Sequence, residues 1–300
     1  MKITFGKISK ILKKTLKGWW EKDPFRESAA IAYYAIFALP GLLIVILTTA
    51  GYFFGNDAVN NLITAQFTST MGADTALQVQ NIIKQASEAK NSLLATIIGV
   101  IVMFVGATGV FAQFQKSLNI IWEVKIDESK NDFLSFVRIR LFSFGLIVTM
   151  AFLLIVSLVI SALLSAFGSW LSGHFSETFF VVLQVINFII SFFILTVLFA
   201  LMYKFLPDAK IKWKHVWIGS VVTALLFGIG KFGLGLYFAK LNPEIGYGAA
   251  GSIILIMLWV SYSSMIVFFG AEFTRAYADF VSGKVAPTDI AETDIQDKTN

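Results

Sequence analysis

Few residues in this chain are equipped for chemistry, and their types exclude several chemistries at once. Its 300 residues include no cysteine and two histidines, His174 and His215. Without cysteine there is neither a disulfide nor a thiolate metal site. A metal-dependent nuclease or protease needs several converging His and carboxylate ligands, and the topology argued below puts the two histidines on opposite sides of a membrane. No H-E-x-x-H, G-x-S-x-G, Walker A or G-x-G-x-x-G sequence occurs. Gly228, Gly230, Gly233 and Gly235 imitate a glycine-rich loop but lie inside an apolar run with no strand before them. We therefore expect no catalytic site, no metal and no cofactor.

Polar groups inside otherwise apolar runs are the better lead, because an ionisable side chain in a membrane helix is costly and marks function by default. Lys231 lies well inside the run Val216–Phe238. Snorkelling to the nearer interface explains it equally well. Gln113, Lys116 and Asn119 recur every three residues near the end of Leu93–Trp122, forming one polar stripe. Glu272 and Arg275 sit one turn apart at the end of another run, and a Lys116–Glu272 pair at similar depth would neutralise both charges. Anchoring at the interface is the plainer role for these groups. Pro40 removes one backbone donor and frees the carbonyl of Ile36; with Gly41 beside it, a kink or break is expected. Transporters place binding sites at such breaks, although most prolines in membrane helices are architectural. Pro40, Gln113, Lys116, Asn119, Lys231 and Glu272 together are the candidate polar path.

These residues need elements to hold them, and the composition says which kind. The chain is 57% hydrophobic, 15% aromatic and 14% charged, with 30 Phe and a mean hydropathy of +0.75. An average soluble domain is about 25% charged, so a soluble fold would lack polar side chains to cover its surface, and disorder would need the opposite balance. Six apolar runs reach the ~20 residues that cross a bilayer: Ala29–Phe54, Leu93–Trp122, Phe136–Phe167, Phe179–Tyr203, Val216–Phe238 and Ala249–Phe273. None alternates as a barrel strand would. The fold class is all-α, a polytopic six-helix transmembrane bundle. The third run is over-long for a perpendicular crossing and should tilt, with Ser143, Ser157, Ser161 and Ser165 allowing close approach.

Basic residues orient the bundle. Lys2, Lys7, Lys10, Lys13, Lys14, Lys17, Lys22 and Arg26 precede the first run; Lys125, Lys130, Arg138 and Arg140 follow the second; Lys204, Lys210, Lys212 and Lys214 follow the fourth. The intervening loops carry only Lys84, Lys90 and Lys240. The bias places both termini in the cytoplasm, and the net charge of +5 belongs to that asymmetry rather than to nucleic-acid binding. Residues 1–22 form an arm with Phe5, Ile8, Leu12, Leu16 and Trp19 on one face and Lys7, Lys10, Lys14 and Lys17 turned away, suited to a bilayer surface with anionic lipids. Residues 23–285 are the membrane domain. Within its first outer loop, Gly55–Asn91, Val59, Leu62, Ile63, Phe67 and Met71, then Val79, Ile82, Ile83 and Ala86, repeat at helical spacing after Asp74, predicting two amphipathic helices. Residues 286–300, with Asp289, Glu292, Asp294 and Asp297, read as an acidic, disordered tail. Homo-oligomer formation is left open.

Four groups of residues carry a family likeness: Asp23-Pro24 followed by Ala29-Ala30-Ile31-Ala32-Tyr33-Tyr34-Ala35 with Pro40; Gly109-Val110-Phe111 leading to Leu118-Asn119-Ile120-Ile121-Trp122; Leu206-Pro207-Asp208 before Lys212-Trp213; and Tyr247-Gly248 leading to Leu258-Trp259 and Gly270-Ala271-Glu272. In order and spacing the chain resembles the YihY/virulence factor BrkB family of bacterial inner-membrane proteins. Where that family usually has a Ser before the proline, this chain has Phe37-Ala38-Leu39-Pro40. The resemblance implies an inner-membrane protein of about six helices and brings no established activity; some members carry the name ribonuclease BN, and others are linked to serum resistance or virulence. The expected function is a transporter, channel or lipid-handling protein. A membrane-bound ribonuclease around His215 and an envelope scaffold acting through Gly55–Asn91 are the alternatives.

Overall fold

A computed structural model describes residues 5–71, 73–88, 93–126, 177–241, 251–288 and 291–293. The predicted third run, its serines and His174 lie outside these residues. Among the described residues are eight helices: α1 (Phe5–Glu21), α2 (Pro24–Phe54), α3 (Asn56–Met71), α4 (Ala73–Glu88), α5 (Leu93–Trp122), α6 (Glu177–Phe205), α7 (Trp213–Leu241) and α8 (Gly251–Ser282). Two short strands, β1 (Val124–Ile126) and β2 (Ala291–Thr293), pair antiparallel with Lys125 opposite Glu292. Three of the described helices are long and apolar enough to cross a membrane, over Val185–Phe205, Trp213–Phe238 and Ile253–Ser282.

Local chemistry sets the boundaries. The α1–α2 turn is made by Asp23 in the left-handed region (φ 49°) with Pro24 at the first helical position, where its missing N–H is no loss. α5 stops at Glu123, also left-handed at φ 55°. Such a conformation costs a non-glycine residue about 1–2 kcal/mol. Glu123 adopts it at a point where its side chain enters an ion cluster described below.

The helices meet at two ends. At one, which we term the arm end, α2 and α7 begin while α5, α6 and α8 finish. At the other, the cap end, α3 and α4 form a hairpin in which Val59, Ile63, Val79 and Ile83 bury against Leu43 of α2, with Gln80 Nε2 donating to Thr64 Oγ1 at 2.9 Å. These are the helical repeats read from the loop sequence. α5 lies directly on α2: a Cβ on Gly106 would come within 2.7 Å of the Ala38 backbone nitrogen, and one on Gly109 would strike the Tyr34 ring. That close apposition gives the reason for a correction. α2 remains helical through Pro40 from Pro24 to Phe54, so the expected break is not there; the neighbouring backbone holds the helix on both sides of one lost bond.

Two further expectations change. α8 continues beyond Phe273 to Ser282, because its last turns pack Phe273, Ala276 and Tyr277 against Ile11 of α1. The tail is not wholly solvated: the Lys210 N–H donates to the Ala286 carbonyl at 2.8 Å, the Thr288 N–H donates to the Asp208 carbonyl at 2.9 Å, and β2 takes the edge of β1. Backbone bonds, which composition does not reveal, dock residues 286–288 and 291–293.

Candidate functional site

The arm end gathers most of the polar side chains buried among the described residues. Glu272, on α8, is fully buried. Lys22 Nζ donates to its Oε2 at 2.6 Å and to the Ile121 carbonyl at 3.2 Å. Arg275 donates to its Oε1 from Nε at 3.2 Å and Nη2 at 2.8 Å, and its Nη1 pairs with Glu123. Two cations and two anions thus cancel in a space walled by Gly18, where any side chain would collide with the Glu272 carboxylate. Burial, the dominant influence, pushes the Lys22 pKa down; Glu272 opposes this, Arg275 reinforces it, and the net shift is downward. Burial also pushes Glu123 up, but the hydrogen bond and charge of Arg275, with Lys22 and Lys284, hold its carboxyl below the ordinary glutamate value.

Two more clusters lie beside this one. Glu27, buried near the start of α2, accepts from Gln113 Nε2 at 2.6 Å and Ser117 Oγ at 2.7 Å, and Arg26 lies 3.3 Å from its other oxygen. Asp208 accepts from Asn119 Nδ2 at 2.7 Å and Gln115 Nε2 at 3.2 Å, and its own N–H donates back to Asn119 Oδ1 at 2.8 Å. Asn119 therefore clamps the Leu206-Pro207-Asp208 turn to the end of α5. Tyr203 donates to the Val267 carbonyl at 2.7 Å and lies 2.9 Å from Thr223 Oγ1. These are charge-assisted and buried bonds, the kind that fixes geometry.

The six residues of the candidate path are thus divided. Gln113, Asn119 and Glu272 sit at the arm end, each in a different cluster. Lys116 is exposed, and the expected Lys116–Glu272 pair does not form: the partners of Glu272 are Lys22 and Arg275. Depth along a helix had matched; direction around it had not. Pro40 is half-buried in mid-helix. Lys231 stands apart, about 27 Å along α7 from Trp213 at 1.5 Å per residue. It is exposed and borders a shallow cleft with Phe227, Leu234, Trp259, Tyr262 and Ser263; no ion pair joins it to another described residue. Sequence reasoning missed Lys22, Glu27 and Glu123. Glu27 could have been found, since it stands just ahead of the run Ala29–Phe54, at the same end as the polar stripe of Leu93–Trp122. Lys22 could not, because its reach to α8 depends on the Asp23 turn.

His215 is buried in the first turn of α7, its Nε2 3.0 Å from Ser282 Oγ and its ring edge-on to Tyr277. Its described neighbours are a hydroxyl and a phenol ring rather than carboxylates. Among the described residues no group of three His, Asp or Glu is placed to hold a metal.

Residues 15–289 match the family model described as Virulence factor BrkB. The chain belongs to that family. Similar proteins include UPF0761 membrane proteins of Rhodospirillum centenum, 24% identical over 92% of this chain and 59% of the relative, of Vibrio atlanticus, 28% identical over 61% of this chain and 56% of the relative, and of Aliivibrio fischeri strain MJ11, 26% identical over 89% of this chain and 83% of the relative. The chain thus spans little more than half the length of the first two. No solved structure matches it. Family and apolar helices together make this BrkB-family protein an integral membrane protein.

Proposed function

We propose that this protein is an inner-membrane transporter or lipid-handling protein that engages an anionic amphiphile at the cleft around Lys231. The observation carrying this reading is the placement of Lys231: an exposed cation on an apolar helix long enough to cross a membrane, with no acidic partner among the described residues and with Trp259, Tyr262 and Ser263 at hand. The two cations of the arm-end cluster, Lys22 and Arg275, are by contrast each matched by a carboxylate. A cation with no carboxylate against it among the described residues suits a substrate anion, and aromatic walls suit the acyl portion. A channel along the arm-end residues is less well supported, since the Lys22–Glu272–Arg275–Glu123 cluster closes that end with its own charges satisfied.

The reading includes six crossings with both termini cytoplasmic. In this reading the run Phe136–Phe167 is the sixth crossing. Lys22, Lys125, Lys204, Lys210, Lys212 and Lys214 all lie at the arm end, as the cytoplasmic side should.

The test is reconstitution in proteoliposomes with fluorescently labelled phosphatidylglycerol and phosphatidylcholine, following leaflet exchange by dithionite bleaching. Wild-type protein should exchange the anionic lipid faster than empty vesicles do, and Lys231→Met should reduce that rate while leaving folding intact. Identical rates for wild type, Lys231→Met and empty vesicles would remove the proposal.

A further inference from the structure

The arm α1 presents two apolar faces, and one of them is exposed, with no partner among the described residues. The docked face carries Ile11, Thr15, Gly18 and Trp19. Ile11 packs with Phe273, Ala276 and Tyr277, and Trp19 Nε1 donates to the Met265 carbonyl at 3.2 Å. Lys14 pairs with Asp279 at 2.8 Å, and Lys22 closes on Glu272. Trp19, expected on the outward face, is therefore turned inward. Beside the docked face runs a second stripe, Ile8, Leu12, Leu16 and Trp20, exposed at 42%, 40%, 55% and 68%. At 3.6 residues per turn, Lys10, Lys13 and Lys17 fall on the far side of that stripe, and all three are exposed.

We infer that this stripe is the protein's docking surface for an anionic phospholipid leaflet, with Ile8, Leu12, Leu16 and Trp20 among the acyl chains and the lysine row at the phosphates. Three observations choose that occupant over another protein. Apolar stripe and lysine row adjoin along one helix, the arrangement that lies in a bilayer interface. The only acidic residue within α1 is Glu21, so the charge facing a partner is almost wholly positive. Other exposed aromatics, Phe25, Phe205, Trp213 and Trp217, stand at the same end of the bundle on α2, α6 and α7, marking the level at which indole rings meet a membrane surface. The docked face fixes the rotation of α1, so the stripe is presented ready-made and binding costs little ordering. This inference does not depend on Lys231.

The absence of cysteine makes the test direct. Single-cysteine variants Leu12→Cys, Leu16→Cys, Lys13→Cys and Lys17→Cys of the full chain are spin-labelled in nanodiscs of phosphatidylcholine with or without phosphatidylglycerol. Depth is read from relaxation by oxygen against a water-soluble nickel complex. Positions 12 and 16 should read as acyl-chain depth and positions 13 and 17 as aqueous or headgroup level. In parallel, Lys10→Gln, Lys13→Gln and Lys17→Gln combined should lower the phosphatidylglycerol retained by the purified protein, by up to ~5-fold per lysine. Water-level readings at 12 and 16 would overturn the inference. So would disulfide crosslinks between two copies through those positions in both lipid mixtures, which would assign the stripe to self-association. Phosphatidylglycerol retention unchanged in the triple variant would overturn the anionic component.

Discussion

Among the described residues, buried ionic and hydrogen-bonded clusters gather at the arm end beside its apolar core, while an apolar cluster joins the hairpin at the cap end. At the arm end α1, α2, α5, α6 and α8 are tied by directional bonds: Lys22 and Arg275 on Glu272, Gln113 and Ser117 on Glu27, Asn119 on Asp208. At the cap end the α3–α4 hairpin is held to α2 chiefly by Leu43, Val59, Ile63, Val79 and Ile83. Buried charge pairs demand one geometry, because each unsatisfied member is penalised. Apolar side chains tolerate sliding and repacking.

Removing the shared carboxylate tests this contrast most severely. Glu272→Gln leaves Lys22 without its carboxylate and Arg275 with Glu123 alone, and breaking a buried pair in this way costs about 3–5 kcal/mol. The apparent melting temperature of the purified protein in nanodiscs should fall by many degrees. Replacing the buried charges together, with Lys22→Met, Glu272→Leu and Arg275→Met, should recover most of that loss, since the desolvation cost leaves with the charges. A triple variant as unstable as Glu272→Gln would mean the cluster does more than balance itself.

At the cap end the corresponding substitution is Ile63→Ala. It removes buried methyl groups for about 2–5 kcal/mol, but the loss should remain local. Hydrogen exchange should quicken across residues 56–88 while the amides of α8 keep their protection. Uniform acceleration through both regions would show that the hairpin and the bundle unfold as one unit, and the contrast between the ends would fail.

What the sequence made legible follows the same division. Apolar runs announced α5 with its observed bounds and placed α2, α6 and α7 within five residues, while the last run stopped nine residues short of the end of α8; a span needs length and hydrophobicity, and both are local properties. The hairpin repeats at Val59, Ile63, Val79 and Ile83 were readable for the same reason. The arm-end network was not. Glu272 was singled out at the end of its run, yet Lys116 was matched to it by depth alone, whereas the partners are Arg275 and Lys22, the latter 250 positions away in the chain and brought in by a left-handed turn at Asp23. Asn119 was flagged for a polar path and proves to be a clamp on Asp208. Removing that clamp with Asn119→Ala should cost about 1–3 kcal/mol, the penalty of an orphaned buried acceptor, and should raise proteolytic sensitivity near residues 206–212 without altering the melting of α3 and α4.

The smallest expected effect is also the most discriminating, because it asks whether the rim of the ion cluster is tuned as its core is. Arg275 holds the Glu123 carboxyl below the ordinary glutamate value despite partial burial. A carboxyl that is more acidic when folded stabilises the fold at pH above the unfolded glutamate range, and that contribution is lost as pH falls through the depressed folded value. The contribution of Glu123 should therefore be flat from pH 8 to about 5 and decline below about 4. The informative quantity is the difference between wild type and Glu123→Gln, which keeps the side-chain size and the left-handed backbone. That difference should shrink with acidification and vanish once the wild-type carboxyl is protonated. The Glu123 side chain is 43% exposed, so solvent and salt screen the pair, and raising ionic strength at neutral pH should narrow the same difference. A difference indifferent to both pH and salt would reduce Glu123 to a backbone role, ending α5 at its left-handed position, and the cluster to its buried core of Lys22, Glu272 and Arg275.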